Sequence, residues 1–538
     1  MVVERWLGAP ALSYARRPPT VVDALDRAVR RWPSTPALVD GARTVTYAEL
    51  GALVETAAAA LRARGLRRGD GVAAAAGNGL ELAVLLLACA RARLVMVGLD
   101  ARLAPAQWAY RTEHMRVRLR LAQPRFPLDG ALDLAAVLAA AAPRPWSYDG
   151  ADRPAEDETY AVVFTSGTTG QAKASQVVHR CSVHSGMSYQ RVLQLQPGEV
   201  TAVLFPLTYI SALHAHVLPA FLAGATCLLV DTQSPREYVA LLREHAVSWA
   251  YAVPSWWRLV LRVPDLRLPA LTRLAAGGAP FPPDLQHALR ERLPGVRLHD
   301  VYGLSETHSP GCIATDDDLR ARPSSVGRPL DCMQAQVRAG DRVLGTGEPG
   351  ELWLRGSLVT TGYARDPDAT AVAIVDGWFD TGDVARIDDG YVTILDRTKD
   401  MINRGGTKVF SAEVEELLRA HPWIEDAAVV GVPDALAGEA VAAYLVVSGA
   451  VTDAEVRAWV RERLADHAAP RLVHRVPELP RNAVGKVDKQ ASARAGRLVT
   501  STAAVPADHG VPAAGPRSVA RTNPMIGARG GAAGGVAA

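Results

Sequence analysis

Residues Tyr160–Lys173 read Tyr-Ala-Val-Val-Phe-Thr-Ser-Gly-Thr-Thr-Gly-Gln-Ala-Lys. The apolar run Tyr160–Phe164 predicts a buried strand that leads straight into a loop with two glycines, four hydroxyls and one lysine. Gly167 and Gly170 let backbone N–H groups turn toward an anion, and Thr165, Ser166, Thr168 and Thr169 add hydroxyl donors. Lys173 supplies a mobile positive charge. This set of groups suits a polyphosphate. It is not the Walker arrangement, in which lysine follows glycine directly. A polar turn after a core strand is the plain alternative, and only the motifs downstream weigh against it.

The strand-then-loop pattern recurs on both sides. Val72–Ala76 predicts a short buried strand, followed by a Gly-Asn-Gly turn and by Leu82, Leu85, Leu86 and Cys89 at helical spacing. Leu94–Val97 is the next apolar run, giving a strand–helix–strand unit of the kind that builds parallel sheets. The alternation continues with strands over Val203–Phe205, Thr226–Val230 and Trp249–Val253, and helices over Val217–Ala223 and Tyr238–His245. The expected fold class is α/β, with residues 1–395 as a large N-terminal body of several subdomains. From Asp396 the units shorten: strands over Asp426–Val430 and Val441–Val447, then a helix opened by the capping box Thr452–Glu455. Residues 396–496 are expected to form a small mobile α+β domain. Residues 497–538 are mostly Ala, Gly, Pro, Ser and Thr, contain no aromatic side chain, and are expected to be disordered.

With 538 residues, 49% hydrophobic and 21% charged, the chain has apolar material for more than one core. A net charge of +3 argues against a nucleic-acid or membrane partner. Cys89, Cys181, Cys227, Cys312 and Cys332 are odd in number and lack metal-ligand spacing, so they read as buried thiols of a reducing compartment. The N-terminus has no signal-peptide core, and the apolar window Val72–Ala92 is broken by Gly77, Asn78, Gly79 and Glu81. A cytoplasmic location is expected.

Several short motifs follow the phosphate-type loop. Tyr302-Gly303-Leu304-Ser305-Glu306 sets a carboxylate past a glycine turn; beside a triphosphate it could hold Mg²⁺, otherwise it is a solvated loop glutamate. Asp300 could accept from an adenine amino group. Gly277-Gly278-Ala279-Pro280 offers backbone without bulk, on which a flat ring can lie, although such a segment is more often a turn. Asp383, in Asp380-Thr381-Gly382-Asp383, could accept from two vicinal hydroxyls; an Asx-turn is the rival. Gly405-Gly406 interrupts a strand-like run and permits close approach by a ligand, or marks a bulge. Lys486 ends the loop Leu479–Lys486, where a lone lysine is ordinarily solvated.

Taken in order, these segments resemble the adenylate-forming superfamily of acyl-CoA and aryl-CoA synthetases, peptide-synthetase adenylation domains and beetle luciferases. Further matches are Gly350-Glu351-Leu352, Arg355-Gly356, Gly362-Tyr363, Asp396-Arg397 and Pro480-Arg481, and the resemblance spans roughly residues 20–490. It implies ATP, Mg²⁺ and coenzyme A as the small molecules used. Thr165–Lys173 would bind the β- and γ-phosphates, Glu306 would ligate Mg²⁺, and Gly277–Pro280 with Asp300 would frame adenine. Tyr302, Gly303 and Ser305 fall within the same nucleotide-binding set. Asp383 and Arg397 would hold the ribose. Asp396 would be the interdomain hinge, Lys486 would reach the reacting oxygens during adenylation, and Gly405-Gly406 would line the pantetheine tunnel. Ala172, Ala174, Cys181 and Ser411 depart from the family pattern, but none removes a group named here.

An acid–CoA ligase is therefore expected, acting on a small carboxylic acid. The alternatives are delivery of the acyl group to a carrier protein in trans and a non-catalytic nucleotide-binding protein. Tyr209, Trp256 and Gly277 are expected at the acid pocket, with Tyr189, Tyr251 and Trp257 as further aromatic wall or as plain core. The segment Phe205–Ser211 has no carboxylate to pair with a substrate ammonium, although one could enter from elsewhere in the fold.

Overall fold

The computed structural model describes residues 1–100, 103–126, 128–165, 172–405, 407–434, 436–481, 487–489 and 491. Residues up to Ala493 form one compact unit. Five strands, Thr226–Leu229, Val200–Val203, Trp249–Ala252, Arg273–Gly277 and Arg297–Tyr302, lie side by side and parallel within a nine-stranded sheet. Their continuous apolar runs reflect burial on both faces. A second sheet holds Gly71–Ala75, Val95–Leu99, Leu119–Ala122 and Thr159–Thr165, again parallel, with Lys173–Val178 added antiparallel at one edge. Ligands of open α/β sheets gather at the carboxyl ends of their strands, and Thr165, Gly277 and Tyr302 each end one of these parallel strands.

The α/β expectation holds, with local differences that have identifiable causes. The strand expected over Val203–Phe205 is Val200–Val203, because Leu204 and Phe205 peel away. Asn78, from the Gly-Asn-Gly turn, donates its amide to the carbonyls of Phe205 (2.9 Å) and Val230 (3.0 Å) and accepts from Leu207 N–H (2.8 Å). One side chain thus replaces ladder bonds and joins the two sheets. The helix expected over Val217–Ala223 is Leu218–Ala223, preceded by a π turn at Leu213–Val217 and a short helical start at Ile210–Ala212. Pro219 cannot donate to Ala215 O, and the Trp249 indole supplies that carbonyl instead (3.1 Å).

An antiparallel sheet follows, with Met333–Ala339, Gly350–Gly356, Trp378–Asp388 and Tyr391–Arg397. Beyond Arg397 the chain builds a separate five-stranded sheet around the hairpin Ile424–Asp434 and Gly438–Val447. Helices Ser411–Arg419 and Asp453–Arg463 pack on it through Val414, Leu418, Val456 and Val460, a core of its own. The capping box at Thr452 is present: Thr452 N–H donates to the Glu455 carboxylate (2.7 Å), and Glu455 N–H to the Thr452 hydroxyl (3.2 Å). All five cysteines are buried and unpaired. Among the described residues no helix is long and apolar enough to cross a membrane.

Candidate active site

The phosphate-type loop is closed by a hairpin. Thr165 at the end of Thr159–Thr165 lies opposite Lys173 at the start of Lys173–Val178, so both ends of the loop are fixed by the sheet. The Lys173 ammonium lies 5.1 Å from the centre of the Tyr363 ring, a cation–π contact. Tyr363 in turn donates its hydroxyl to Glu306 (2.8 Å). Glu306 sits in the single turn Ser305–Thr307 and is only 6% exposed. Burial pushes its carboxyl above the ordinary range, while Tyr363, Thr165 and the nearby Arg397 charge pull the other way. A buried carboxylate without a full countercharge is suited to a cation. Among the described residues no cluster of three metal-ligating side chains exists. A divalent ion here could therefore take Glu306 from the protein and its other ligands from phosphates and water, the mode Mg²⁺ favours.

Opposite this lies a second constellation. Asp383, 4% exposed, accepts from the Tyr302 hydroxyl (2.7 Å) and from Arg397 Nε (2.8 Å). Strand register sets Asp383 directly across from Arg397. The Asx-turn rival belongs to its neighbour: Asp380 accepts from Gly382 N–H (2.9 Å), and the Thr381 hydroxyl accepts from Asp383 N–H (3.1 Å). The Asp383 side chain is thus not consumed by its own turn.

Gly277 ends the strand Arg273–Gly277, and Gly278 has a φ of +77°, the left-handed region that glycine occupies freely. A Cβ at Gly277 would stand 2.4 Å from Val301 O and 2.6 Å from the Tyr251 hydroxyl, so no side chain fits there. Ala279 and Pro280 complete the turn. Asp300, on the adjacent strand, is buried, and desolvation pushes its carboxyl up to about 8. It is therefore mainly protonated at neutral pH, and a donor such as an adenine amino group would favour its charged form. Gly303 is hemmed in: a Cβ there would lie 3.1 Å from Pro310 Cα and Gly311 N.

Where the acid is expected, Tyr209 donates its hydroxyl to Asp100 (2.7 Å). Asp100 follows the strand Val95–Leu99, at its carboxyl end, and is 3% exposed. It is the carboxylate that reaches this segment from elsewhere, and sequence reading missed it; its place just past a parallel strand was the available signal. Arg111 faces both groups. Its guanidinium is drawn down by burial and held up by Tyr209 and Asp100. Tyr251 meets Phe205 edge to face (centroids 4.8 Å apart) and lies over Gly277. Trp256 lies apart from these residues. Alternation along Trp249–Ala252 sends Trp249 and Tyr251 to one face and Ala250 and Ala252 to the other, where Trp256 packs edge to face on Tyr238 (5.7 Å). Trp257 is core on that same side, its indole donating to Ala275 O (2.8 Å). Tyr189 is wholly buried, with its hydroxyl beside that of Ser309 (3.2 Å).

Asp396 is the next-to-last residue of the strand Tyr391–Arg397, and Gly405, with a φ of +59°, donates its N–H to Ala437 O (2.7 Å). Ser166, Gly167, Thr168, Thr169, Gly170, Gly406, Lys486 and the segment 497–538 lie outside the described residues.

A family model described as AMP-binding enzyme matches residues 25–364, and one described as AMP-binding enzyme C-terminal domain matches 413–486. The chain is 32% identical over 480 residues to a feruloyl-CoA synthase from Amycolatopsis sp, covering 86% of this chain and 96% of that one. Among solved structures it resembles o-succinylbenzoate CoA synthetase from Bacillus subtilis in complex with an acyl-adenylate intermediate, with a TM-score of 0.79, 27% identity and coverage of 87% and 97%. The same enzyme in complex with ATP and a magnesium ion gives a TM-score of 0.80, 27% identity and coverage of 87% and 98%. The first family model alone spans more than half of the sequence, and the similarity to CoA synthetases runs along nearly their whole length: the chain belongs to the AMP-binding enzyme family.

Proposed function

We infer that this protein is an ATP-dependent carboxylic acid–CoA ligase whose substrate is an acid bearing an aromatic ring. It joins the acid to AMP with release of pyrophosphate, then transfers the acyl group to the CoA thiol with release of AMP. The observation that carries the reading is the meeting of two constellations. Glu306 with Tyr363 and Thr165 stands within electrostatic range of Arg397, which holds Asp383 and, through it, Tyr302. That spacing suits a nucleotide with its phosphates toward Glu306 and its ribose toward Asp383.

In the first half-reaction a carboxylate oxygen of the acid attacks the α-phosphorus, and the bond to pyrophosphate breaks. Two anions approach one another, so positioned donors and cations lower the barrier more than any covalent participation. Lys173 and Lys486 are the cations assigned to this, with the hydroxyls of Thr165–Thr169. Magnesium held by Glu306 would neutralise phosphate charge. In the second half-reaction the CoA thiolate attacks the acyl carbon, AMP leaves with the bonding electrons, and the thiol proton passes to solvent. Gly405 and Gly406 are assigned to the thiol's approach, and Asp396 to the hinge between residues 1–395 and 396–496.

The aromatic acid is supported by the aromatic pair Tyr251 and Phe205, which meet edge to face beside the strand end at Gly277. The synthetases it resembles are named for feruloyl and o-succinylbenzoyl groups. Five unpaired cysteines fit the cytoplasm. The test is ATP–pyrophosphate exchange over ferulate, cinnamate, benzoate, 3-phenylpropionate and hexanoate, followed by mass detection of the CoA thioester. Exchange with hexanoate alone overturns the aromatic assignment. Exchange without thioester formation, cured by a phosphopantetheinyl carrier protein, moves the enzyme to carrier loading.

A further inference from the structure

Asp396 is built into a chain of contacts that crosses from the large body to the small domain. Its carboxylate accepts from Arg397 N–H (2.8 Å), from Ser411 N–H and from the Ser411 hydroxyl (3.1 Å). The strand that holds Asp396 belongs to the body's antiparallel sheet, whereas Ser411 opens the first helix of the small domain. Lys489 reaches the same point from the far end of the described chain. Its ammonium donates to the Ser411 hydroxyl (2.6 Å) and pairs with Glu415 (2.8 Å). Glu415 also accepts from Val429 N–H (2.8 Å), which ties the group to the small domain's sheet. Asp396, Ser411 and Glu415 are buried, and Lys489 has a side chain only 19% exposed.

We propose that Lys489 and Ser411 are positioning residues that latch the small domain to Asp396 in the orientation seen here. Rotation about the backbone at Asp396 carries Ser411 away from the Asp396 carboxylate, so the bonds between them must break before the small domain turns. Buried, charge-assisted bonds of this kind are the strong ones, and their loss shifts the balance between orientations. Ser411 is the first helical residue, where proline is tolerated. Ser411→Pro therefore deletes both donors without breaking the helix. Lys489→Met removes the cation and keeps the length of the side chain.

The inference rests on the ligase reading only for its catalytic consequence, so two readouts are needed. The first is limited trypsin digestion of the full-length protein without substrates, following cleavage at Arg397, Lys399, Arg404 and Lys408. Ser411→Pro should raise that rate at least about fivefold, the effect of losing its two bonds to Asp396; Lys489→Met, which removes a positive charge that acts on the Asp396 carboxylate, should raise it by a smaller factor, while Lys489→Arg stays near the parent. The second is the ratio of pyrophosphate exchange to thioester formation. A change in domain balance moves the two half-reactions by unequal factors; a merely structural role lowers both alike. Cleavage unchanged in Ser411→Pro, or equal loss of both half-reactions, overturns the latch. If the parent forms no acyl-adenylate from any acid, the ligase reading fails, and the digestion by itself still decides the latch.

Discussion

Asp383→Asn separates a ribose-holding carboxylate from one that only ties two strands together. A carboxylate offers about four acceptor sites. In Asp383 two are taken, by the Tyr302 hydroxyl and Arg397 Nε, which leaves capacity for two vicinal hydroxyls. A hydrogen bond to a charged group contributes about 1.5–3 kcal/mol, so losing one ribose contact should cost roughly 10- to 150-fold in kcat/KM for ATP. The asparagine keeps the shape and one carbonyl acceptor for the buried Tyr302 hydroxyl. Arg397 loses a charge partner, but its side chain is 43% exposed and water can take over. The fold should therefore persist. Exchange is measured with ATP and 2′-deoxy-ATP in parent and variant. The parent should prefer ATP by about 10- to 150-fold, and in the variant that preference should fall below about threefold. If Asp383→Asn loses both nucleotides by the same factor, the carboxylate does not touch the ribose, and the argument from spare acceptor capacity is refuted.

Lys486→Ala should remove exchange by on the order of 10²–10³ or more with the melting temperature unchanged; near-parent exchange would remove this lysine from the chemistry. Asp300 has its folded pKa raised to about 8 by burial, so its carboxyl favours the native state below the unfolded value, and that contribution drains away as pH rises toward 8. Asp300→Asn cannot ionise and should gain stability relative to the parent between about pH 4 and pH 8; denaturant midpoints across that window that run parallel would contradict the buried carboxyl. Free α-amino acids should be excluded by more than roughly a hundredfold, because the Asp100 carboxylate beside Tyr209 is already countered by the Arg111 guanidinium, which would repel a substrate ammonium. Exchange with phenylalanine as efficient as with 3-phenylpropionate would show that Asp100 is available to an ammonium after all.

Read alone, the sequence determined the elements that local chemistry dictates. Gly71–Ala75 and Trp249–Ala252 are strands because uninterrupted apolar runs between turns have nowhere else to go, and Thr452–Glu455 starts a helix because its side chains cap it. The ordered glycine, hydroxyl, carboxylate and lysine motifs were legible for the same reason: each is a short-range requirement of backbone or ligand geometry. What the tertiary structure decided are relations between distant segments. That Asn78 ends a strand by capturing Phe205, that Asp100 meets Tyr209, and that Ser411 and Lys489 converge on Asp396 depends on how sheets and domains pack. Trp256 shows the same limit from the other direction. An aromatic residue near the end of a strand is equally compatible with pocket and core, and only the alternation of side chains across the assembled sheet sends Tyr251 over Gly277 and Trp256 to the far face.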